Sequence, residues 1–226
     1  MLKRLCAVTA GLFVAGFAPL ALAQSADRFA PEMEAFAATD RAAPPPGCQI
    51  VFTGSSSVRF WKTLAQDMAP IPVINRGFGG SQISDVNFYF DRVVTPYRPR
   101  AIFFYAGEND INAGKAPEQV TADFERFMDL KSAKLGAAPV YFIALKPSRA
   151  RQDQKPLQDA VNAKIRSMAQ TRADLDFVDV VPAMLDAEGR PKDIFVADGL
   201  HMTPAGYELW TAIVRPVAET AAKAPC

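Results

Sequence analysis

From Cys48 onward the sequence alternates short apolar runs with helical segments, and this alternation limits the possible folds more than any other feature. The predicted strands are 50–52, 71–75, 101–105, 140–145 and 177–181. Apolar periodicity predicts helices over 117–135 and 153–170, and a last helix that begins at Thr203-Pro204. Short apolar strands separated by helices are typical of a parallel sheet covered on both faces. The sequence therefore predicts a doubly wound α/β fold, a three-layer α/β/α sandwich around a five-stranded parallel sheet.

The first residues are typical of an export signal. Lys3 and Arg4 form a basic region, an almost uncharged apolar run covers 5–20, and 21–23 fits the small-x-small cleavage rule. A membrane anchor is the alternative, but two glycines and a proline interrupt the run. We therefore expect a signal peptide over 1–23, cleavage after Ala23, and a periplasmic or secreted protein without stable membrane insertion.

The chain after the signal divides into an N-terminal arm, 24–47, and one α/β domain, 48–226. Phe29, Met33 and Phe36 recur at helical spacing, which predicts a helix over 25–39. A proline-rich linker then leads into the first strand. The arm either packs on the domain, which we favour, or forms a free linker.

Charge and cysteine content limit the partners and cofactors. The formal net charge is +1, which provides no strong basic field for binding nucleic acid. The single histidine and the widely separated cysteines form no zinc-binding pattern, so no metal is expected. Cys48 precedes the first strand, and the last helix returns the chain to that edge of the sheet. We therefore predict a Cys48–Cys226 disulfide, with two free thiols as the alternative.

Four polar segments follow the predicted strands or precede the last helix, and they are 54–57, 77–81, 107–110 and 198–201. Right-handed crossovers bring such loops to one edge of the sheet, where ligands bind in folds of this type. Ser55 or Ser56 stands where the next helix begins, and a serine there is either a nucleophile or an N-cap. His201 stands three residues after Asp198, a spacing that lets the carboxylate hold one ring nitrogen and leaves the other as a base. The alternative is a structural histidine.

Together these segments resemble the four sequence blocks of the GDSL/SGNH hydrolase family. The matching stretches are Gly54-Ser55-Ser56, Asn75 to Gly80, Gly107-Glu108-Asn109-Asp110 and Asp198-Gly199-Leu200-His201. The resemblance spans roughly 48–215 and implies an SGNH-hydrolase, flavodoxin-like fold over 48–226. One position departs from the family pattern, because Ser55 stands where an aspartate usually precedes the nucleophile. We expect activity to survive, since the resemblance assigns the acid to Asp198.

The resemblance implies a serine esterase that needs no cofactor. Ser56 would be the nucleophile, with Ser55 and Ser57 as helix caps. His201 would be the base and Asp198 the orienting acid. The amides of Ser56 and Gly80 and the side chain of Asn109 would hold the oxyanion. Implied substrates are small esters, namely acetylated saccharides, short aryl or alkyl esters, lysophospholipids and thioesters. An envelope acyltransferase and an inactive ligand-binding module remain as alternatives.

Two further basic residues follow the fourth predicted strand. Lys146 and Arg149 could bind a carboxylate or phosphate of the substrate, although a solvated basic loop is the favoured interpretation. Phe60 and Trp61 follow the serine segment, and helical spacing assigns both to the core.

Overall fold

The computed structural model describes residues 19–226, with side chains from residue 28 onward. Five parallel strands form one sheet in the order β2-β1-β3-β4-β5. The strands are β1 (Ile50–Gly54), β2 (Val73–Gly77), β3 (Ala101–Tyr105), β4 (Val140–Ile143) and β5 (Leu175–Val178). The prediction of a five-stranded parallel sheet is therefore confirmed.

Helices cover both faces of the sheet. They are α1 (Pro19–Ala42), α2 (Ser56–Arg59), α3 (Leu64–Asp67), α4 (Ile83–Phe88), α5 (Phe90–Val93), α6 (Glu108–Asn112), α7 (Pro117–Leu135), α8 (Lys155–Thr171) and α9 (Pro204–Ala221). Short 3₁₀ turns occupy Thr95–Tyr97, Arg149–Gln154 and Pro182–Met184. In β3, Ile102 and Phe104 face the layer that contains α1, α4, α5, α7 and α8. Phe103 and Tyr105 face α2, α3 and α9, as the period of two in a strand requires.

The predicted N-terminal helix is longer than the apolar spacing indicated, because α1 covers Pro19–Ala42. Phe29 and Met33 are each 1% exposed and join the hydrophobic core, and the Phe29 ring contacts Phe78 directly after β2, so the arm packs on the domain. Residues 1–18, which include most of the predicted signal peptide, lie outside the described residues. Within the described part of the chain, no helix is both long enough and apolar enough to cross a membrane.

Strand ends differ from the predicted bounds by about two residues. β2 begins at Val73, directly after Pro72, which lacks the N–H that a ladder needs. β5 ends at Val178, because its partner β4 ends at Ile143. An apolar run thus marks the strand, but pairing determines where it ends.

The end of α9 lies near the start of β1. The helix continues past Pro216 to Ala221, so the proline does not shorten it. Cys226 then lies next to Cys48, and their Cα atoms are 5.5 Å apart, a distance that suits a disulfide. Arg100 connects the same two segments, since Nε donates to the Cys48 carbonyl at 2.8 Å and Nη1 donates to the carbonyl of Ala222.

Candidate active site

The loops at the carboxyl ends of β1, β2 and β3 meet at one edge of the sheet. The backbones approach each other closely at Gly54, where φ is +126° and an added Cβ would lie 1.9 Å from the carbonyl oxygen of Tyr105. A side chain therefore cannot fit between β1 and β3 at this point. The next residue, Ser55, donates its backbone N–H to the same Tyr105 oxygen at 2.8 Å. These contacts place Ser56 at the first position of α2, at the edge of the sheet.

Ser56, His201 and Asp198 form one hydrogen-bonded series. Ser56 Oγ lies 2.9 Å from Nε2 of His201, and Nδ1 of the same ring lies 2.6 Å from Oδ2 of Asp198. A carboxylate only accepts hydrogen bonds, so the proton of the neutral ring is on Nδ1 and Nε2 is free to accept the serine proton. The arrangement can therefore deprotonate the Ser56 hydroxyl.

Asp198 is held as a carboxylate. Its Oδ1 accepts hydrogen bonds from the backbone N–H groups of Leu200 and His201 at 2.8 and 2.9 Å. Partial burial acts to raise the pKa of Asp198, but the hydrogen bonds from the His201 ring and from these amides outweigh it and lower the pKa to about 2. The charge next to the imidazole thus persists throughout the neutral range.

The neighbouring serines do not cap α2, contrary to the prediction. Ser55 occupies the N-cap position, but its side chain makes no capping hydrogen bond. Ser57 lies within the helix and is buried, and its carbonyl accepts a hydrogen bond from Tyr207 Oη at 2.9 Å. The backbone N–H of Ser55 and the carbonyl of Ser57 therefore help to anchor the serine segment.

Gly80 lies in the turn after β2, with φ at +77°. An added Cβ there would lie 2.7 Å from Nη2 of Arg28, so the turn combines a left-handed backbone with a close neighbour on α1. The single O–H of Ser81 is shared between the carbonyls of Phe78 and Gly54, which lie 3.0 and 3.2 Å from Oγ. These bonds join the glycine turn to the end of β1, next to the serine.

Asn109 connects the third loop to the same turn. Its Nδ2 donates to the carbonyl of Ser81 at 3.0 Å, and its Oδ1 accepts a hydrogen bond from Arg151 Nη2 at 3.0 Å. Asp110, fully buried, accepts hydrogen bonds from the backbone N–H of Ile83 at 3.1 and 3.3 Å and pairs with Lys115 at 2.8 Å. The α6 turn that carries Asn109 is thereby joined to the start of α4.

Lys146, Glu108 and Tyr105 form a buried polar cluster that was not predicted from the sequence. Lys146 lies 3.3 Å from Glu108, which also accepts a hydrogen bond from Tyr105 Oη. Burial lowers the pKa of Lys146, although Glu108 opposes the shift, and burial also raises the pKa of Tyr105. The sequence contained two signs of this cluster. Lys146 directly follows an apolar predicted strand, and Glu108 directly precedes Asn109.

Of the two basic residues after β4, Lys146 requires a correction, whereas Arg149 is exposed, as the favoured interpretation predicted. Lys146 is 0% exposed, so it neither contacts substrate nor belongs to a solvated loop; its charge is paired inside the protein. Arg149 pairs with Asp193 at 2.9 Å and donates to the carbonyls of Phe195 and Val196. The Arg149 guanidinium thus binds the segment before His201 and is not a free cationic site.

Phe60 also differs from its prediction. Trp61 is buried in the core as expected, whereas Phe60 is 38% exposed. The Phe60 ring contacts the His201 ring edge-on, with centroids 4.8 Å apart. The spacing rule failed here because α2 ends at Arg59, so a periodicity of 3.6 residues does not extend to Phe60.

Among the described side chains, no group of three or more His, Cys, Asp or Glu residues is arranged to hold a metal ion.

The five-stranded parallel sheet with helices on both faces is the fold that solved acylhydrolase structures share. The model of the GDSL-like Lipase/Acylhydrolase family matches residues 23–209. The chain therefore belongs to this family, and it is a carboxylic ester hydrolase. A comparison with curated proteins found no match.

Solved structures share the fold at low sequence identity. A protein from Bacteroides fragilis assigned to the acylhydrolases has a TM-score of 0.72 at 21% identity, covering 92% of this chain and 100% of its own. A GDSL-like lipase from Bacteroides thetaiotaomicron has a TM-score of 0.70 at 20% identity and covers 84% and 98%. A carbohydrate esterase family 3 protein from Talaromyces cellulolyticus has a TM-score of 0.63 at 17% identity and covers 78% and 98%. At these identities the likeness shows the fold.

Proposed function

We propose that the protein hydrolyses carboxylic esters through a Ser-His-Asp acyl-enzyme mechanism. The hydrogen-bonded series from Asp198 through His201 to Ser56 carries the proposal. Ser56 Oγ attacks the ester carbonyl carbon while His201 Nε2 takes its proton. When the tetrahedral intermediate collapses, His201 returns that proton to the departing alcohol and leaves Ser56 acylated. Water, activated by the same imidazole, then releases the acid and restores the serine.

The oxyanion of each tetrahedral intermediate is held by three donors. These are the backbone N–H groups of Ser56 and Gly80 and one N–H of the Asn109 carboxamide. The support is spatial, because Asn109 Nδ2 lies 3.0 Å from the carbonyl of Ser81, the residue after Gly80. Donors aimed at developing negative charge typically contribute more than any other single effect to acyl transfer.

The substrates we propose are esters of short acyl or acetyl groups, including those on saccharides and lysolipids. The half-exposed Phe60 ring beside His201 supplies apolar surface where an acyl or alcohol group would sit. A carbohydrate esterase among the structural neighbours supports testing acetylated saccharides.

A series of p-nitrophenyl esters of increasing acyl length tests this proposal, with and without an added alcohol acceptor. We expect saturable hydrolysis, with the greatest kcat/KM on the short acyl chains. A product mixture dominated by the transferred ester would identify an acyltransferase instead. Binding of esters without turnover would identify an inactive binding module.

We also propose that the protein is exported and cleaved after Ala23. The support is the basic, apolar and small-residue pattern over 1–23. N-terminal sequencing of protein from the periplasm and the medium should find Gln24 first. An intact Met1 terminus on all of the protein would contradict the proposal.

A further inference from the structure

Arg151 reaches the proposed oxyanion donor from the far side of the site. It lies in the turn Arg149–Gln154, which follows β4, and its Nη2 donates a hydrogen bond of 3.0 Å to Oδ1 of Asn109. We infer that Arg151 is a positioning residue that sets the orientation and the donor strength of the Asn109 carboxamide. This inference rests on the proposed ester hydrolysis.

The orientation follows from what each group can donate or accept. A guanidinium carries donors only, whereas a carboxamide has an acceptor at one end and two N–H donors at the other. Oδ1 of Asn109 must therefore face Arg151, which turns Nδ2 toward the glycine turn. One N–H of Nδ2 is directed to the carbonyl of Ser81. The second N–H is then available for the substrate oxyanion; a flipped amide would present a repulsive oxygen instead.

The donor strength follows from charge. A hydrogen bond from an ionised donor is stronger than a neutral one, and it draws electron density toward Oδ1 of Asn109. Hydrogen bonds in series polarise one another, so the N–H groups at the other end of the amide become better donors. The positive charge of Arg151 also lies one side chain away from the place where negative charge develops.

The turn that carries Arg151 is attached on two sides. The backbone N–H of Ala150 donates to the carbonyl of Gly199, in the Asp198–His201 loop, at 3.0 Å. Gln154 Nε2 donates to Oδ1 of Asn112, in the helix that carries Asn109, at 3.0 Å. The turn is thus tied both to the loop that carries His201 and to the helix that carries Asn109, which holds Arg151 beside Asn109.

The test compares Arg151→Met with Arg166→Met as a control. Arg166 is a half-exposed arginine on α8 that pairs with Asp179. We expect Arg151→Met to lower kcat about 10- to 100-fold, the scale of one lost charge-assisted hydrogen bond, with KM changed less than about twofold. Arg151→Lys should restore part of the loss. Arg166→Met should leave kcat unchanged.

A double-mutant cycle with Asn109→Ala separates positioning from general destabilisation. Asn109→Ala alone should cost about 10²–10³-fold in kcat, and adding Arg151→Met should cost little more, because the amide it positions is gone. Losses that multiply fully, or a wild-type kcat in Arg151→Met, would overturn the inference.

A readout without substrate distinguishes the two proposals. The side-chain NH₂ signals of Asn109, identified by their loss in Asn109→Ala, should shift in NMR spectra of Arg151→Met but not of Arg166→Met. Unshifted signals in an enzyme that hydrolyses esters would overturn the inference alone. Shifted signals in an enzyme that hydrolyses no ester of the series would overturn the proposed function, and the role of Arg151 in catalysis with it.

Discussion

The ring of Phe60 meets the ring of His201 edge-on, at an interplanar angle of 82° and a centroid distance of 4.8 Å. The proposed general base is therefore held on one side by a carboxylate and on another by an aromatic ring. Such an aromatic contact contributes about 0.5–1.5 kcal/mol. Phe60 is also partly exposed, so the same ring can contact substrate.

Removing this ring should weaken catalysis more than folding. We expect Phe60→Ala to lower kcat/KM about 2- to 10-fold, the rate equivalent of one aromatic contact, because the imidazole loses a lateral support. Phe88→Ala is the matched control, since Phe88 is 57% exposed and its ring contacts Tyr89. Steady-state kinetics on the same ester check the prediction. Equal losses in both variants would mean that the contact with His201 does not matter.

Ser56→Ala and His201→Ala should each remove nearly all turnover, because the pair acts as a unit. His201 is the only histidine in the sequence, so no other imidazole can replace it. Both variants should keep the wild-type circular dichroism spectrum and melting temperature. Ser132→Ala, an exposed serine on α7, serves as the control. A well-folded His201→Ala variant with wild-type hydrolysis would falsify the proposed triad.

Activity should fall in acid through a single titration. The depressed pKa of Asp198, about 2, means that the stabilisation from its hydrogen bonds is present above the unfolded pKa and lost only as the pH falls toward 2. Proton transfer from Ser56 needs a free acceptor nitrogen on the imidazole, and Asp198 stays ionised over the whole range in which activity is measured. The measurement is log kcat/KM against pH, from about pH 4 to 9. An acid limb with a slope of one is expected; a slope of two would show that a second group titrates with the base.

Glu32 should contribute more to thermal stability than its neighbour Glu34. Glu32 on α1 pairs with Arg59 on α2 at 3.2 Å and accepts the backbone N–H of Gly79 at 3.2 Å, so it joins the serine helix to the glycine turn. We expect Glu32→Gln to lower the melting temperature by about 2–4 °C, which corresponds to the loss of about 1 kcal/mol in a domain of this size.

Glu34→Gln is the control for Glu32, since Glu34 is exposed and pairs with Arg92 away from these loops. It should leave the melting temperature unchanged. Thermal unfolding followed by circular dichroism compares the two. A larger shift in Glu34→Gln would show that α1 is held mainly at its exposed face.

The pairing of Cys48 with Cys226 predicts no free thiol in denatured, unreduced mature protein. The two cysteines are 178 residues apart, and closing so long a loop contributes about 4 to 5 kcal/mol in the chain-entropy model. Cys226→Ser should therefore lower the melting temperature while kcat is retained, because Cys48 precedes β1 and Ser56 follows it. Two free thiols per chain would contradict the disulfide.

Much of the fold could be predicted from the sequence because the relevant signals are local. The apolar run at Ala101–Tyr105 and the amphipathic helix Pro117–Leu135 were predicted with the bounds that the structure has. The loops that carry Ser56 and Asn109 were located because glycine and polar residues directly follow such runs. Parallel strands then leave these loops at one edge.

Contacts between distant parts of the chain could not be predicted in this way. Lys146 was interpreted as solvated because lysines mostly are, but its partner Glu108 lies on another strand's loop, 38 residues away. The hydrogen bond from Arg151 to Asn109 joins residues 42 apart. Hydropathy and spacing indicate which residues are apolar and which are helical. They do not indicate which distant residue a polar side chain will contact. Packing of the layers selected those partners, because a buried charge is stable only where a complementary group is brought within hydrogen-bonding distance.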